Sequence, residues 1–188
     1  MKSRFFILCS AVLAAIVFAS CNSSASSSDL DRQFIDMMVP HHQGAVEMAK
    51  VAQVRADHPE IKQMANAVIQ SQNTEIGQMK GWRKAWYGSD QTPAMDKMPM
   101  MPGAPTEGHG HSGNTMNMAA DVEMLRRSPE PFDKAFIDMM IPHHQSAIDA
   151  AKVVESKTQR AEVRDLAKAI IADQQREIGQ MKQWRMAW

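Results

Sequence analysis

Hydrophobic and polar positions along most of the chain follow the period of an amphipathic α-helix. Apolar residues recur every three or four positions in four long stretches. These stretches predict helices over residues 29–56, 59–86, 133–157 and 160–188. No stretch has the alternating pattern of a β-strand. The chain is therefore predicted to be all-α.

The four stretches form two copies of one unit. FIDMMVPHHQGAVEMAK, which begins at Phe34, returns as FIDMMIPHHQSAIDAAK at Phe136. EIGQMKGWRKAW, which begins at Glu75, returns as EIGQMKQWRMAW at Glu177. Both copies are offset by 102 residues, so each unit predicts a helical hairpin of the same length. Because one hairpin cannot bury its apolar face alone, the two together predict a four-helix bundle.

The domain organisation follows from this duplication. We assign repeat 1 to residues 29–86 and repeat 2 to residues 131–188, and together they form one domain over residues 29–188. Residues 87–130 form a long insert that holds many of the glycines, prolines and methionines. A loop of that length in a compact domain is either functional or disordered. A short helix is expected at residues 121–127, near the end of the insert.

Each repeat carries a Met-Met-x-Pro-His-His motif inside its first predicted helix. A helical wheel places the histidines on or beside the apolar face, and each methionine lies four positions before a histidine. Thioethers and imidazoles are ligands that suit copper. The candidate ligands are Met37, Met38, His41, His42, Met139, Met140, His143 and His144. The proline before each histidine pair predicts either a kinked helix or a helix that starts anew.

Methionine at helical spacing is more often a packing residue than a ligand. We favour packing for Met48, Met64 and Met124, which lie outside the motifs. The four tryptophans are expected to be core and end-capping residues. Two duplicated histidine pairs on an apolar face are harder to explain by packing.

The second helix of each repeat adds polar residues to its apolar face. A buried carboxylate beside an imidazole can fix the tautomer that binds a metal, or it can bind the metal directly. Hydrogen bonding between helices, without a metal, is the alternative role for these side chains. The residues concerned are Gln72, Glu75, Gln174 and Glu177.

The insert contains a second group of methionines and histidines, in the segments MDKMPMMPG, HGH and MNM. Core packing explains them poorly because their neighbours are polar or turn-forming. Thioethers bind Cu(I) and form no disulfides, and imidazoles also accept Cu(II). An unstructured linker and a reversible sink for oxidants are the alternatives. The candidate ligands are Met95, Met98, Met100, Met101, His109, His111, Met116 and Met118.

The first twenty residues have the pattern of an export signal, a basic start followed by an apolar run that ends before Cys21. The residues before Cys21 resemble a bacterial lipobox, so lipidation of Cys21 is predicted, with plain cleavage nearby as the alternative. Residues 21–28 would then be a flexible tether. Loss of the signal leaves 19 basic and 21 acidic residues, a formal charge of −2, and no basic stripe for nucleic acid.

The two repeated motifs resemble those of the exported bacterial proteins called domain of unknown function family 305, which include copper-binding CopM proteins. The resemblance covers both hairpins. It implies a ferritin-like four-helix bundle in the periplasm or outside the cell, and for the CopM branch it implies copper binding and copper resistance. The matching positions are the motif residues Met37, Met38, His41, His42, Met139, Met140, His143 and His144.

The expected function is therefore binding of Cu(I), and also of Cu(II), for sequestration or for transfer to an efflux or acceptor protein. One alternative is a structural or interaction bundle whose methionines only pack. A di-iron oxidase is a weaker alternative because its Glu-x-x-His motif does not occur in the sequence. No arrangement of nucleophile and base suggests another enzyme.

Overall fold

The computed structural model describes residues 27–100, 111–112 and 115–188. Predictions for the export signal, Cys21, Met101 and His109 lie outside these residues, and the side chains of His111 and Met116 are likewise not described. The helices are α1 Ser27–Arg55, α2 Pro59–Tyr87, α3 Met118–Arg126, α4 Phe132–Lys157 and α5 Ala161–Ala187. A 3₁₀ turn, Met95–Lys97, and three short strands lie in the insert: β1 Met98–Pro99, β2 His111–Ser112 and β3 Thr115–Met116.

The four long predicted helices are confirmed, with ends that agree within two residues. The helix predicted near the end of the insert is present as α3. The predicted all-α fold class is confirmed, although the insert contains a small antiparallel sheet in which β1, β3 and β2 lie in that order. Each strand has only two residues, too few for a period-2 pattern to be detected in the sequence.

Both helices that carry the histidine motif continue through a proline. Pro40 lies inside α1 and Pro142 lies inside α4, so the alternative of a helix that starts anew was wrong. A proline inside a helix removes one backbone hydrogen bond. Packing offsets the loss, since the residues around Pro40 are buried and those next to Pro142 are buried or partly buried.

The interior consists of two apolar clusters at opposite ends of the bundle. One cluster joins the first half of α1, including Phe34, to the second half of α4, including Val154. The other joins the second half of α1, including Met48, to the first half of α4, including Phe136. Helices α1 and α4 therefore cross antiparallel, and their histidine motifs lie between the two clusters.

Polar contacts repeat with the same offset as the sequence. Arg83 donates from Nε to Asp36 Oδ1 at 2.5 Å and from Nη2 to Asp36 Oδ2 at 3.3 Å. In the second repeat, Arg185 makes the same two bonds to Asp138 at 2.7 and 3.1 Å. Within each hairpin, this pair ties the first helix to the end of the second. The first pair is nearly buried, whereas the second lies at the surface.

The two hairpins also hold each other through their turns. Arg160, before α5, lies over the Trp86 ring of the first hairpin at 3.9 Å. At the equivalent place before α2, His58 stacks on Trp188 of the second hairpin with ring centroids 3.7 Å apart. All four tryptophans are only partly buried, in two stacked pairs at the helix ends. The expectation that they close the ends agrees with this placement, but the expectation that they lie in the core was wrong.

Helix α3 is fixed to the end of α1 through Arg55. The Arg55 guanidinium donates to the carbonyls of Arg126 and Ser128, both at 2.9 Å, and to Glu130 Oε1 at 2.8 Å. The hydrogen bond from Arg55 holds the pKa of Glu130 below its ordinary value. Leu125 of α3 is fully buried in the same region. The end of the insert is therefore part of the bundle.

Candidate metal centre

The central feature of the candidate site is a contact between one histidine of each repeat. The His41 and His143 rings have centroids 3.8 Å apart and planes tilted by 42°. Both side chains are buried, with about 1% of their surface exposed. The His41 Nε2 atom lies 2.8 Å from the Ser146 hydroxyl, which itself donates to the His143 carbonyl oxygen at 2.8 Å. The duplicated motifs thus meet at the centre of the bundle.

The second histidine of each motif is bonded to a carboxylate. His42 Nε2 lies 2.6 Å from Glu75 Oε2, and His144 Nε2 lies 2.7 Å from Glu177 Oε2. Both imidazoles are completely buried, while the carboxylates are about 15% exposed. Because an ionised carboxylate can only accept, each Nε2 carries the proton and donates it. The predicted pairing of these glutamates with histidines is therefore present in the structure.

In a neutral imidazole, the form that binds a metal, this pairing fixes the state of the other ring nitrogen. With the proton on Nε2, the Nδ1 atoms of His42 and His144 have a lone pair directed into the protein. Neither Nδ1 has a hydrogen-bond partner among the described residues. A buried polar atom without a partner is destabilising by about 1–3 kcal/mol. A bound metal ion would satisfy such a lone pair, and the bond from Nε2–H to a carboxylate is typical of metal-binding histidines.

Buried thioether side chains precede these histidines by one helical turn. Met38 and Met140, each one turn before a carboxylate-bonded histidine, are fully buried. Met37 is also buried, whereas its counterpart Met139 is partly exposed. Three of the four motif methionines therefore pack in the core, and Met139 packs against it. Whether they bind a metal stays a prediction.

The two glutamines of the second helices are also buried, with about 3% of their surface exposed. The side-chain oxygens of Gln72 and Gln174 have no hydrogen-bond partner within the described residues. The predicted hydrogen bonds between helices are thus not present at these oxygens. Their role as supporting groups for a metal stays a prediction.

The insert places some of its methionines in the core. Met98 and Met118 are fully buried and belong to the cluster that contains Met37 and Met38. The view that packing explains the insert methionines poorly was wrong for these two, because α3 and the small sheet carry them onto α1. Met95 and Met100 are partly buried against the same cluster.

The predictions for packing methionines were right in two of three cases. Met48 and Met64 are buried. Met124 is 61% exposed on α3, so the prediction that it packs was wrong. The opposite face of α3 supplies the buried residues Val122 and Leu125, and a nine-residue helix on the surface has only one buried face.

Nitrogen and oxygen ligands alone do not complete a metal site in this arrangement. In the described part of the chain, no group of three or more His, Cys, Asp or Glu side chains is placed to hold a metal ion. Two imidazoles do meet at the centre, and the helices that carry them also carry buried methionines. Thioethers are soft ligands, so a site built from these imidazoles and methionines would favour Cu(I) over Zn²⁺ or iron.

Two residues near the site were missed by the sequence reasoning. Ser146 bonds to His41, and Gly44 is its counterpart in the first repeat. The signal was present in the sequence, because the motif reads PHHQGA in one copy and PHHQSA in the other. A difference inside an otherwise repeated motif indicates that the two copies have different surroundings.

Fold and site together define a duplicated four-helix bundle with a Met-His motif from each half at its centre. The model of a family described as domain of unknown function (DUF305) matches residues 31–185. The chain belongs to the DUF305 family. This result confirms the family that the sequence motifs indicated.

Solved structures agree with this assignment. This chain is 39% identical in sequence to CopM in the Cu(II)-bound form, with a TM-score of 0.69. The match covers 84% of this chain and 97% of the CopM chain. CopM in the Cu(I)-bound form is 36% identical over 84% and 96% of the two chains, with a TM-score of 0.68. A putative secreted DUF305 protein from Streptomyces coelicolor, 24% identical over 81% and 89% of the chains, shares the fold with a TM-score of 0.65.

One curated relative matches a shorter segment. Uncharacterized protein L153 of Acanthamoeba polyphaga mimivirus is 43% identical over 49 residues, which are 26% of this chain and 32% of that protein. The match therefore spans about a third of the relative's length. No helix in residues 27–100, 111–112 and 115–188 has the length and hydropathy that crossing a bilayer requires.

Proposed function

We propose that this protein binds copper outside the inner membrane, and that it sequesters Cu(I) or transfers it to an efflux or acceptor protein. Cu(II) is a second ligand, because imidazole nitrogens accept both oxidation states. The observation that carries this proposal is the pair of buried Nδ1 lone pairs on His42 and His144. Each is held in place by a carboxylate on the other ring nitrogen, and each has a buried methionine one turn before it.

The chemistry of these groups favours copper over other metals. A thioether is neutral at every pH and is a soft ligand, so it selects Cu(I) rather than Ca²⁺, Mg²⁺ or Mn²⁺. Imidazole ligands then add affinity for either oxidation state of copper. The similarity to CopM in its Cu(I)-bound and Cu(II)-bound forms, at 36–39% identity, supports the same choice.

The proposed location is the periplasm or the cell surface, with a lipid anchor on Cys21. The apolar segment before Cys21 and the small residues next to it support this assignment. We assign no catalytic activity to the protein. A di-iron oxidase would need several carboxylates around its metals, and Glu75 and Glu177 each bond to a histidine of their own repeat.

The proposal is tested by anaerobic titration of residues 22–188 with Cu(I) against a competing chelator. The test variant changes His42 and His144 to Leu, which removes both Nδ1 atoms and leaves apolar side chains in an apolar region. We expect the number of tightly bound ions to fall. A matched control changes His58→Leu, a partly exposed histidine that lies just before α2 and stacks on Trp188 at the end of the bundle.

Methionine variants test the insert without disturbing the core. Because Met98 and Met118 are buried, deletion of the insert would expose the cluster that they cover. Met→Leu changes preserve volume and remove only the sulfur. Far-ultraviolet circular dichroism would verify that each variant is folded. If the wild-type chain fails to compete with the chelator, the copper proposal is wrong and a structural role for the bundle is favoured.

A further inference from the structure

The two histidine motifs differ at one position near the centre of the bundle, which is Gly44 in the first repeat and Ser146 in the second. This difference changes which side chain contacts the histidine of the other repeat. In the second repeat Ser146 supplies a hydroxyl that lies 2.8 Å from His41 Nε2. In the first repeat the same position is Gly44, which has no side chain to offer to His143. The duplication is therefore asymmetric at the point where its copies meet.

Met118 of the insert occupies the space that a side chain at position 44 would need. A Cβ atom built on Gly44 would lie 3.0 Å from Met118 Cβ and 3.4 Å from Met118 Cγ. The same point is 3.6 Å from His143 Nε2. Met118 and the ring nitrogen of His143 therefore both lie next to one small notch above Gly44.

The position of Met118 is fixed by the start of α3. The Asn117 side chain accepts a hydrogen bond from the Ala120 N–H and caps the helix, and Met118 is its first residue. Leu125 at the other end of α3 is buried, and the Arg55 guanidinium donates a hydrogen bond to the carbonyl oxygen of Arg126. Met118 is completely buried. Because α3 is anchored at both ends, it holds the Met118 side chain against the bundle.

We propose that Gly44 is the docking notch for Met118, and that this notch makes the two histidine pairs unequal as copper sites. The pair His143–His144 has a thioether from the insert beside it, whereas the pair His41–His42 has the Ser146 hydroxyl instead. A soft thioether raises affinity for Cu(I) more than a hydroxyl does. An ion at His143–His144 is therefore bound more tightly than one at His41–His42, and it is held in part by the insert. This inference rests on the copper function proposed above.

The test compares Gly44→Ser with Gly77→Ser. Both glycines lie inside long helices, but a Cβ at Gly77 meets no heavy atom within 4 Å. Gly44→Ser reproduces the other repeat and forces Met118 to move, so hydrogen exchange of residues 118–126 should speed up at least several-fold without copper. Gly77→Ser should leave exchange in that segment unchanged. Equal hydrogen-exchange rates of residues 118–126 in the two variants would overturn the proposal that Met118 docks at Gly44.

The copper measurement tests the thioether separately. Met118→Leu keeps the packing volume and removes the sulfur. In the anaerobic Cu(I) competition, we expect one ion to bind about tenfold more weakly in Met118→Leu and in Gly44→Ser, with the other ion unaffected. Unchanged binding in Met118→Leu would overturn the ligand role. If the wild type binds no Cu(I), the proposed function and the ligand role of Met118 both fail. The hydrogen-exchange measurement still decides whether α3 packs against Gly44.

Discussion

The equivalent ion pairs Arg83–Asp36 and Arg185–Asp138 allow a matched measurement of what burial does to an ion pair. Both arginines make two hydrogen bonds to their aspartate. The Arg83 side chain is 9% exposed and Asp36 is 15% exposed, whereas Arg185 and Asp138 are 42% and 53% exposed. The perturbation we choose is Arg→Met at each position, which keeps the aliphatic stem and removes the charged head.

The structure predicts different costs for the two changes. Removing one partner of a buried pair costs about 3–5 kcal/mol, because the other charge stays buried. Asp36 keeps a second partner, Arg32 at 3.5 Å, but Arg83 also donates to the Ser89 carbonyl at 2.7 Å. We therefore expect Arg83→Met to lower the free energy of unfolding by about 3 kcal/mol, at the lower end of that range. Exposed ion pairs contribute little, so Arg185→Met should be close to the wild type.

Equilibrium unfolding in urea, followed by circular dichroism, measures both losses. With a slope of about 2 kcal/mol per molar urea, Arg83→Met should lower the midpoint by about 1.5 M. The slope itself should not change, because the same surface is exposed on unfolding. Equal midpoints for the two variants would refute the reasoning that burial decides the strength of these pairs.

Three further predictions concern the site and the attachment of the insert. Glu75→Gln should weaken Cu(I) binding about 10–100-fold, because the carboxylate fixes the tautomer of His42, and unchanged competition with the chelator would contradict this role. Arg55→Met should speed hydrogen exchange in α3 and leave α5 unaffected, since Arg55 bonds to the end of α3; equal change in both helices would mean that the whole bundle has loosened. The lowered pKa of Glu130 means that its contribution to stability is present above its ordinary value of 4.5 and is lost as pH falls through the lower folded value. The stability difference between the wild type and Glu130→Gln should therefore be measurable at about pH 6 and should shrink progressively as the pH falls below 4.5, and a difference that does not shrink in acid would contradict this account.

The four-helix bundle could be predicted because the sequence patterns that indicate it are local and occur twice. The helical period, the two copies and the short turns were all visible in the residues, and the family of the motif was visible as well. The pairing of Glu75 with His42 followed from their places on the apolar faces of two neighbouring helices, which the structure bears out. Periodicity gives the inward face of each helix, and short turns make consecutive helices neighbours.

The contacts of the insert could not be predicted in the same way. Its strands are two residues long, and the position of Met118 over Gly44 depends on how α3 packs against α1. Such packing depends on residues far apart in the sequence, and no local pattern encodes it. The same holds for Met124, which occupies the exposed face of a short helix. In a nine-residue helix the apolar period is too short to separate the exposed Met124 from the buried Val122 and Leu125.

The hairpins contact each other reciprocally, through His58 on Trp188 and Arg160 on Trp86. Two separate identical hairpins could form the same arrangement as a symmetric homodimer, but any mutation would then occur in both partners. Fusion into one polypeptide removes that constraint, so position 44 can be a glycine while the equivalent position 146 is a serine. One molecule can thereby give its two histidine motifs different surroundings, which a homodimer of identical hairpins could not encode in its sequence.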